Sequence, residues 1–228
     1  MAREIYRMGL RAWIRFAVRD HDRLRVEKVD GTEIVVLPSV FNGVRLRTGA
    51  FLAQTLNATL VPAGARVLDL GAGSGIGAIF AARWAARVVA SDINPEAARC
   101  ARINALAHHL EHKIETRIGD LFAPVGEERF DVILFNPPFY RARPRDLADA
   151  AWRSPDAFER FLRELPLHLN DTGRALVVLS SDGDIAQELA AAKRLSVRAI
   201  RQSDLINEIL TVYEIRVAQE NLSANPRE

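Results

Sequence analysis

The sequence predicts an α/β fold built around a mostly parallel sheet, and three observations carry that prediction. From Arg66 onward, short runs that are apolar throughout alternate with stretches of helical periodicity. Strands apolar on both faces belong to a parallel sheet covered by helices on either side. A glycine-rich turn joins the first such strand to the first such helix, which is the connection of a doubly wound sheet. The last two β-rich runs have no helix between them, and Gln202 to Asn207 is too short for a parallel crossover, so these two strands are expected to be antiparallel.

The elements follow in order. Residues 1–19 read as an amphipathic helix, with Ile5, Met8, Ala12, Trp13 and Phe16 at helical spacing. An arginine row from Arg3 to Arg23 recurs every four residues and winds slowly around it. Leu24 to Val29 and Glu33 to Leu37 flank Asp30-Gly31, a hairpin signal closed by Pro38. Val67 to Leu70 is the first core strand, and the helix after its glycines is expected to reach about Arg87. Val88 to Asp92 is the second strand, and Pro95 suits the first turn of a helix to about Ala107. Ile114 to Ile118 and Phe130 to Phe135 are the next two strands, followed by a helix at about 155–168. Arg174 to Ser181 is a fifth strand, Ile185 to Lys193 a helix, and 195–201 and 208–218 the closing strands. This gives seven core strands, three expected domains of organisation (1–37 helix and hairpin extension, 38–218 core, 219–228 tail), and no internal repeat.

Composition narrows the class. The 228 residues are 49% hydrophobic and 26% charged, which excludes disorder for the bulk of the chain. Area scaling lets such a chain remove about 70% of its surface from water, enough for a core without staples. Cys100 is the only cysteine, which excludes an internal disulfide and any multi-thiolate metal site. There is no transmembrane run and no signal-like apolar stretch, so a cytoplasmic enzyme is expected. Net charge is only +2, although just Lys28, Lys113 and Lys193 of the 31 basic residues are lysine. His108, His109 and His112 read as a solvated helix end; no metal is expected.

Four motifs carry the chemistry. Asp69-Leu70-Gly71-Ala72-Gly73-Ser74-Gly75 is a turn where backbone can approach a nucleotide-like ligand without a Cβ in the way. By itself it is ambiguous, because Gly73 to Ala78 also fits the loose dinucleotide pattern. Asp92 ends the second strand, 21 residues after Gly71, where a carboxylate can accept from both ribose hydroxyls. Asp120 and Leu121 follow the third strand, where an acid can accept from an adenine amino group and a leucine can pack on the ring. Asn136-Pro137-Pro138-Phe139 follows the fourth strand directly. The prolines stop the ladder and leave carbonyls free to accept. Asn136 and the Pro137 carbonyl can take the two hydrogens of one planar amino group, and Phe139 offers a face for stacking.

The order DLGAGSG, SDINP, GDLF, FNPPF resembles the Rossmann-like class I S-adenosylmethionine (SAM) methyltransferases over about 38–218. More narrowly, NPPF is similar to the branch that methylates planar nitrogens, and within it to the HemK-like protein glutamine methyltransferases that modify release factors. The segment Pro38 to Leu52, the pair Ala151-Trp152 and the stretch Leu167 to Ser181 add to the likeness. Departures are a short N-terminal extension in place of a helical domain, Phe139-Tyr140 where a tyrosine is usual, and Arg153-Ser154-Pro155 after the Ala-Trp pair. The resemblance implies a seven-stranded sheet with an antiparallel C-terminal strand and SAM as cofactor. It implies that Asp69, Gly71, Ala72, Gly73, Ser74 and Gly75 line the methionine part of SAM, with Thr48 reaching its carboxylate. Asp92 is then at the ribose, Asp120 and Leu121 at adenine, and Asn136 at cofactor and acceptor alike. Asn136 and Pro137 are the catalytic pair, with Pro138 and Phe139 completing the acceptor site. A protein substrate such as a release factor is the first expectation. An RNA base amine (adenine N6 or guanine N2) is the second, and a non-catalytic nucleotide-binding module or NAD(P) oxidoreductase the third. Some tail-less relatives act with a small activator subunit, so the resemblance admits such a partner. Arg141, Arg143 and Arg145 lie beyond Phe139 at the expected mouth, where they could steer RNA phosphates or an acidic protein face.

Overall fold

The computed structural model describes residues 23–183, 185–192, 194–205 and 208–218. The expected N-terminal helix at 1–19 and the tail from 219 lie outside the described residues.

A hairpin comes first: β1 (Arg25–Val29) pairs antiparallel with β2 (Thr32–Val36). Its turn is Asp30-Gly31, both at positive φ, as a two-residue hairpin of this hand requires. The hairpin turns Val29, Ile34 and Val36 into the main core. After α1 (Thr48–Ala53), five strands and three helices follow: β3 (Arg66–Leu70), α2 (Ile76–Ala81), β4 (Arg87–Asp92), α3 (Pro95–Ala107), β5 (Ile114–Ile118), β6 (Phe130–Phe135), α4 (Ala157–His168) and β7 (Leu169–Ser180) carry the chain to α5 (Gln187–Ala191), β8 (Leu195–Asp204) and β9 (Ile209–Val217).

The seven-stranded sheet has the order β5-β4-β3-β6-β7-β9-β8. β5, β4, β3, β6 and β7 are mutually parallel, and β9 runs antiparallel to both β7 and β8. Alternate residues of each strand face opposite layers, as the period of two demands. Val67, Val88, Val132, Leu134, Leu176 and Val212 pack beneath α1, α2 and α3. Leu68, Leu70, Val89, Ile133, Phe135, Val177 and Ile215 pack beneath α4 and α5, with Phe161 and Leu165 fully buried there. From β3 the sheet proceeds outward to β4 in one direction and to β6 in the other. The connections diverge at this point, which opens a crevice at the carboxyl ends of β3 and β6.

Three boundaries differ from the sequence reading. The helix after the glycines stops at Ala81 rather than near Arg87. Lys113 Nζ donates to the carbonyls of Ala82 (3.0 Å) and Ala85 (3.3 Å), so the groups that would extend the helix are taken from another element. β7 begins at Leu169, not Arg174, because Leu169 pairs with Phe130 before a shift in register. The segment around Thr48 forms a six-residue helix, α1, too short to give a periodicity signal.

Hydrogen bonds from buried polar groups tie the hairpin to the core. Asn104 Oδ1 accepts from Val35 N (2.8 Å), and its amide donates to Val35 O (2.7 Å) and Ser74 O (2.8 Å). One fully buried side chain on α3 thus links the hairpin to the glycine turn. His108 of the histidine group lies against Glu33 O at 2.7 Å.

Candidate active site

The crevice holds a cavity of about 300 Å³. Its floor is the carboxyl ends of β3, β4 and β6, represented by Leu70, Ser91 and Phe135. Gly71 and Gly73 form one wall, Asp92 and Asn94 the next, and Gly119, Asp120 and Leu121 the far end. Asn136 and Pro138 stand on the β6 side. The strap 144–157 roofs it with Pro144, Leu147, Ala148, Ala150 and Ala151.

The glycine turn is held from inside. Asp92 Oδ2 accepts from Gly73 N and Oδ1 from Asn94 N, both at 2.9 Å. Gly73 adopts φ 55°, a left-handed conformation that aims its N–H at this carboxylate. Asn94 caps α3, its Oδ1 accepting from Glu96 N at 3.0 Å. Each Asp92 oxygen keeps a lone pair beyond these bonds. Burial pushes the Asp92 carboxyl above its ordinary range, partly offset by the Asn94 and Gly73 N–H groups.

Asp69 is placed differently from Asp92. It is buried under the glycine turn, where Oδ2 accepts from Ala78 N at 2.8 Å. A Cβ on Gly77 would lie 2.7 Å from Asp69 Oδ1, so only glycine leaves room for the carboxylate there. Asp69 lines a separate space of about 30 Å³ with Ala72, Gly73, Ser74 and Asn136, not the large cavity. Burial raises its carboxyl to about 7, the Ala78 N–H opposing and Asp92 adding to the rise. The unfolded chain releases this proton near the usual aspartate value, whereas the folded chain holds it toward pH 7. Stability therefore falls as pH rises through that window. Asp92, also raised, acts in the same direction. Asp69→Asn keeps an acceptor for Ala78 N and removes the titration. Thermal unfolding at pH 5 and pH 8 should show a smaller difference in Tm for this variant than for the wild type.

At the corner after β6, Asn136 Nδ2 donates to Thr48 Oγ1 at 3.1 Å. Asn136 Oδ1 is buried with no hydrogen-bond partner among the described residues. Thr48 thus meets Asn136 rather than the wall of the large cavity. It lines a pocket of about 40 Å³ together with Phe139, Tyr140 and Trp152. Phe139 is 8% exposed and packs in the core on the α4 side, touching only that smaller pocket. Pro137 is buried. Gly75 caps the start of α2 behind the turn. The structure therefore brings Gly71, Gly73, Asp92, Asp120, Leu121, Asn136 and Pro138 to one cavity, and sets Asp69, Ala72, Ser74, Thr48 and Phe139 on its neighbours.

Arg160 and Asp149 have no counterpart in the sequence reading. Arg160 Nη2 donates to Asp120 Oδ2 at 2.6 Å and lines the cavity. Asp149, 5% exposed, accepts from Arg145 N and Nη2 (both 3.0 Å) and from Arg153 Nη1, which binds the strap to itself. Arg160 on α4 reaches Asp120 across 40 residues, which leaves no local trace, whereas Arg145 and Arg153 stand four residues before and after Asp149, a spacing the sequence does carry. Of the three arginines expected at the mouth, Arg141 pairs with Glu159 and Glu188, Arg145 pairs with Asp149, and Arg143 is exposed. Among the described residues no group of three or more His, Cys, Asp or Glu could hold a metal ion, and no helix is long and apolar enough to cross a membrane.

Comparison with known proteins gives the class first. A 16S rRNA methyltransferase from T. thermophilus, solved in complex with AdoMet and guanosine, superposes with a TM-score of 0.66 at 23% identity. It covers 86% of this chain and 50% of its own. A tRNA methyltransferase from M. jannaschii superposes over the same 86%, covering 55% of its own chain, with a TM-score of 0.63 at 20% identity. At such identities the likeness is one of fold, that of the SAM-dependent methyltransferases. The chain itself belongs to the methyltransferase small domain family, whose sequence profile matches residues 31–204. Among curated relatives, the ribosomal protein uL3 glutamine methyltransferase of Bradyrhizobium diazoefficiens is 35% identical over 137 residues, 54% of this chain and 43% of its own. The release factor glutamine methyltransferase of Cereibacter sphaeroides is 34% identical over 141 residues, 55% of this chain and 50% of its own. The ribosomal RNA small subunit methyltransferase C of Shigella boydii is 31% identical over 156 residues, 67% of this chain and 41% of its own. The matched stretch thus spans half or less of each of these relatives.

Proposed function

We propose that this chain transfers a methyl group from SAM to a planar nitrogen, with a protein glutamine side chain as the acceptor. The observation that carries the reading is Asn136. Its amide nitrogen is bound to Thr48, and its buried oxygen has no partner among the described residues. A buried acceptor left unmade costs roughly 1–3 kcal/mol, so a ligand that donates to it recovers that cost. An amide NH2 is such a donor.

The residues present fit SAM. The cavity is of small-molecule size, and Ser91 Oγ on its wall is a second buried polar atom with no partner among the described residues. Gly71 and Gly73 would hold the methionine part, Asp92 the ribose, and Asp120 with Leu121 the adenine. Asp69, Ala72, Ser74 and Gly75 would support that cradle from behind, and Thr48 would act through Asn136. SAM supplies an activated methyl group, so the chain's own task is orientation, which can account for much of a rate enhancement. Asn136 Oδ1 and the Pro137 carbonyl accept the two hydrogens of the acceptor nitrogen. Holding both fixes the plane of the amide and turns the nitrogen's weak lone pair toward the cavity. Pro138 stiffens the corner so that this geometry is present before the acceptor arrives.

The pairing of two mouth arginines supports a protein acceptor. Phosphate binding draws on available guanidinium groups, and Arg141 and Arg145 are already paired with Glu159, Glu188 and Asp149, while Arg143 is exposed. One finding supports the RNA base amine as a second reading: the match to the rRNA methyltransferase covers more of this chain than the matches to the glutamine enzymes. The test is transfer of labelled methyl from SAM into extract of cells lacking the chain. Label that protease removes and nuclease leaves supports the glutamine reading. Label lost to nuclease, with binding that weakens steeply in salt, overturns it in favour of RNA.

A further inference from the structure

The corner needs a flat surface to hold a planar acceptor, and the structure puts a ring there that the motif does not contain. Phe139, the aromatic of the motif, is committed elsewhere: its side chain sits in the core, and its Cβ lies 3.0 Å from where a Cβ on Gly183 would stand. Phe41 is half-buried and lines all three spaces around Asn136: the large cavity, the pocket beside Thr48, and the small space under the glycine turn. Among the described residues no other borders all three.

The ring and its backbone are both held. Trp152 meets Phe41 edge to face, with centroids 4.9 Å apart and planes at 76°. That geometry suits the ring quadrupoles and fixes the plane of the Phe41 ring. The next residue, Asn42, is buried; its Nδ2 donates to Glu27 Oε1 (2.8 Å) and its Oδ1 accepts from Arg45 N (2.9 Å). Phe41 is thus a rigid platform carried on a pinned loop, the arrangement a binding site needs for precise orientation.

We infer that Phe41 is the stacking platform for the planar acceptor, with Trp152 fixing the plane of its ring. The inference rests on the N-methyl transfer reading above and adds a positioning residue to it. The acceptor lies flat against Phe41 while its NH2 group donates to Asn136 Oδ1. Phe139 serves the fold of the corner and not the acceptor.

Three variants test this: Phe41→Leu, which keeps an apolar side chain but loses the flat face, Phe41→Tyr, which keeps the face, and Phe139→Leu. SAM affinity is read by calorimetry. Acceptor affinity is read as the concentration of unmethylated cell extract that gives half-maximal labelling. Thermal unfolding checks that each variant folds. Phe41→Leu should raise the half-saturating acceptor concentration roughly tenfold, the scale of one aromatic face on a flat group, while SAM affinity changes less than about threefold. Phe41→Tyr should stay near wild type, and Phe139→Leu should lower Tm while shifting acceptor saturation less than Phe41→Leu does. Equal behaviour of the leucine and tyrosine variants at Phe41 would overturn the assignment. So would equal losses of SAM and acceptor affinity in Phe41→Leu, or an acceptor defect confined to Phe139→Leu. A wild-type chain that labels nothing would sink the methyl transfer reading itself, and this assignment with it. A wild type that labels its acceptor while Phe41→Leu saturates normally sinks Phe41 alone.

Discussion

Asn136→Ala is expected to lower methyl transfer by roughly 10²–10³-fold, on the scale seen when one preorganised polar group is removed from a reacting centre. SAM affinity, measured by calorimetry on the same preparation, should stay within a few-fold of wild type. The asymmetry follows from the geometry. Asn136 touches the large cavity from the β6 side, whereas the ribose and base ends are bordered by Asp92, Asp120 and Leu121. The alanine variant also leaves the Thr48 hydroxyl without the Asn136 amide, so Thr48→Ala serves as the control. It frees the Asn136 side chain to rotate and should cost less than Asn136→Ala, because the acceptor oxygen survives. Parallel losses of rate and SAM affinity in Asn136→Ala would mean that the residue serves cofactor binding alone.

Gly75→Ala is expected to be the most damaging single methyl addition in the glycine turn. Gly75 adopts φ 79°, and a Cβ there would stand 2.9 Å from both Cα and Cβ of Ala101 on α3. The left-handed backbone costs an alanine roughly 1–2 kcal/mol, and overpacking against helix backbone adds about 1–3. A sum near 3 kcal/mol is a large part of an ordinary domain's stability. For a chain of this size it corresponds to a fall in Tm of roughly 6–12 °C. SAM affinity should fall with it, because the turn that Asp92 holds through Gly73 N would be displaced. Gly64→Ala separates the two causes: its φ is 83°, with nothing within 4 Å of the added Cβ. It should show the conformational cost alone, in a smaller shift of Tm. Similar shifts for both variants would remove the contact with Ala101 from the account.

Much of this was legible in the sequence because it is written in local patterns. β5 and β6 coincide with their expected bounds, as does α3, since apolar runs and Pro95 mark them without reference to anything distant. The antiparallel end of the sheet followed from the shortness of one connection. One wall of the cavity was readable for the same reason: Gly71, Gly73, Asp92, Asp120 and Leu121 each end or follow a strand, and parallel strands deliver their ends to one edge. Other features depended on tertiary partners. α2 ends where Lys113, from another element, takes the carbonyls of Ala82 and Ala85. Thr48 was expected at the cofactor but bonds to Asn136, because α1 brings it to the corner. The motif's own aromatic, Phe139, packs in the core, and Phe41, far away in the chain, borders the cavity. Pairings such as Arg160 with Asp120 leave no trace in spacing, since nothing local requires them.

The irregular pairing of β8 with β9 between Ala199 and Arg201 bears on how the molecule behaves in a crowded solution. An outermost strand presents a row of open amide groups that could recruit another polypeptide and begin a fibre. Here that strand is distorted by an extra residue and carries Arg198 and Arg201, whose charges resist an incoming backbone. At the opposite border β5 has only five residues and bears Glu115 and Arg117. Both rims are thus ill suited to templating, and the protein can keep its seven-stranded sheet without inviting aggregation.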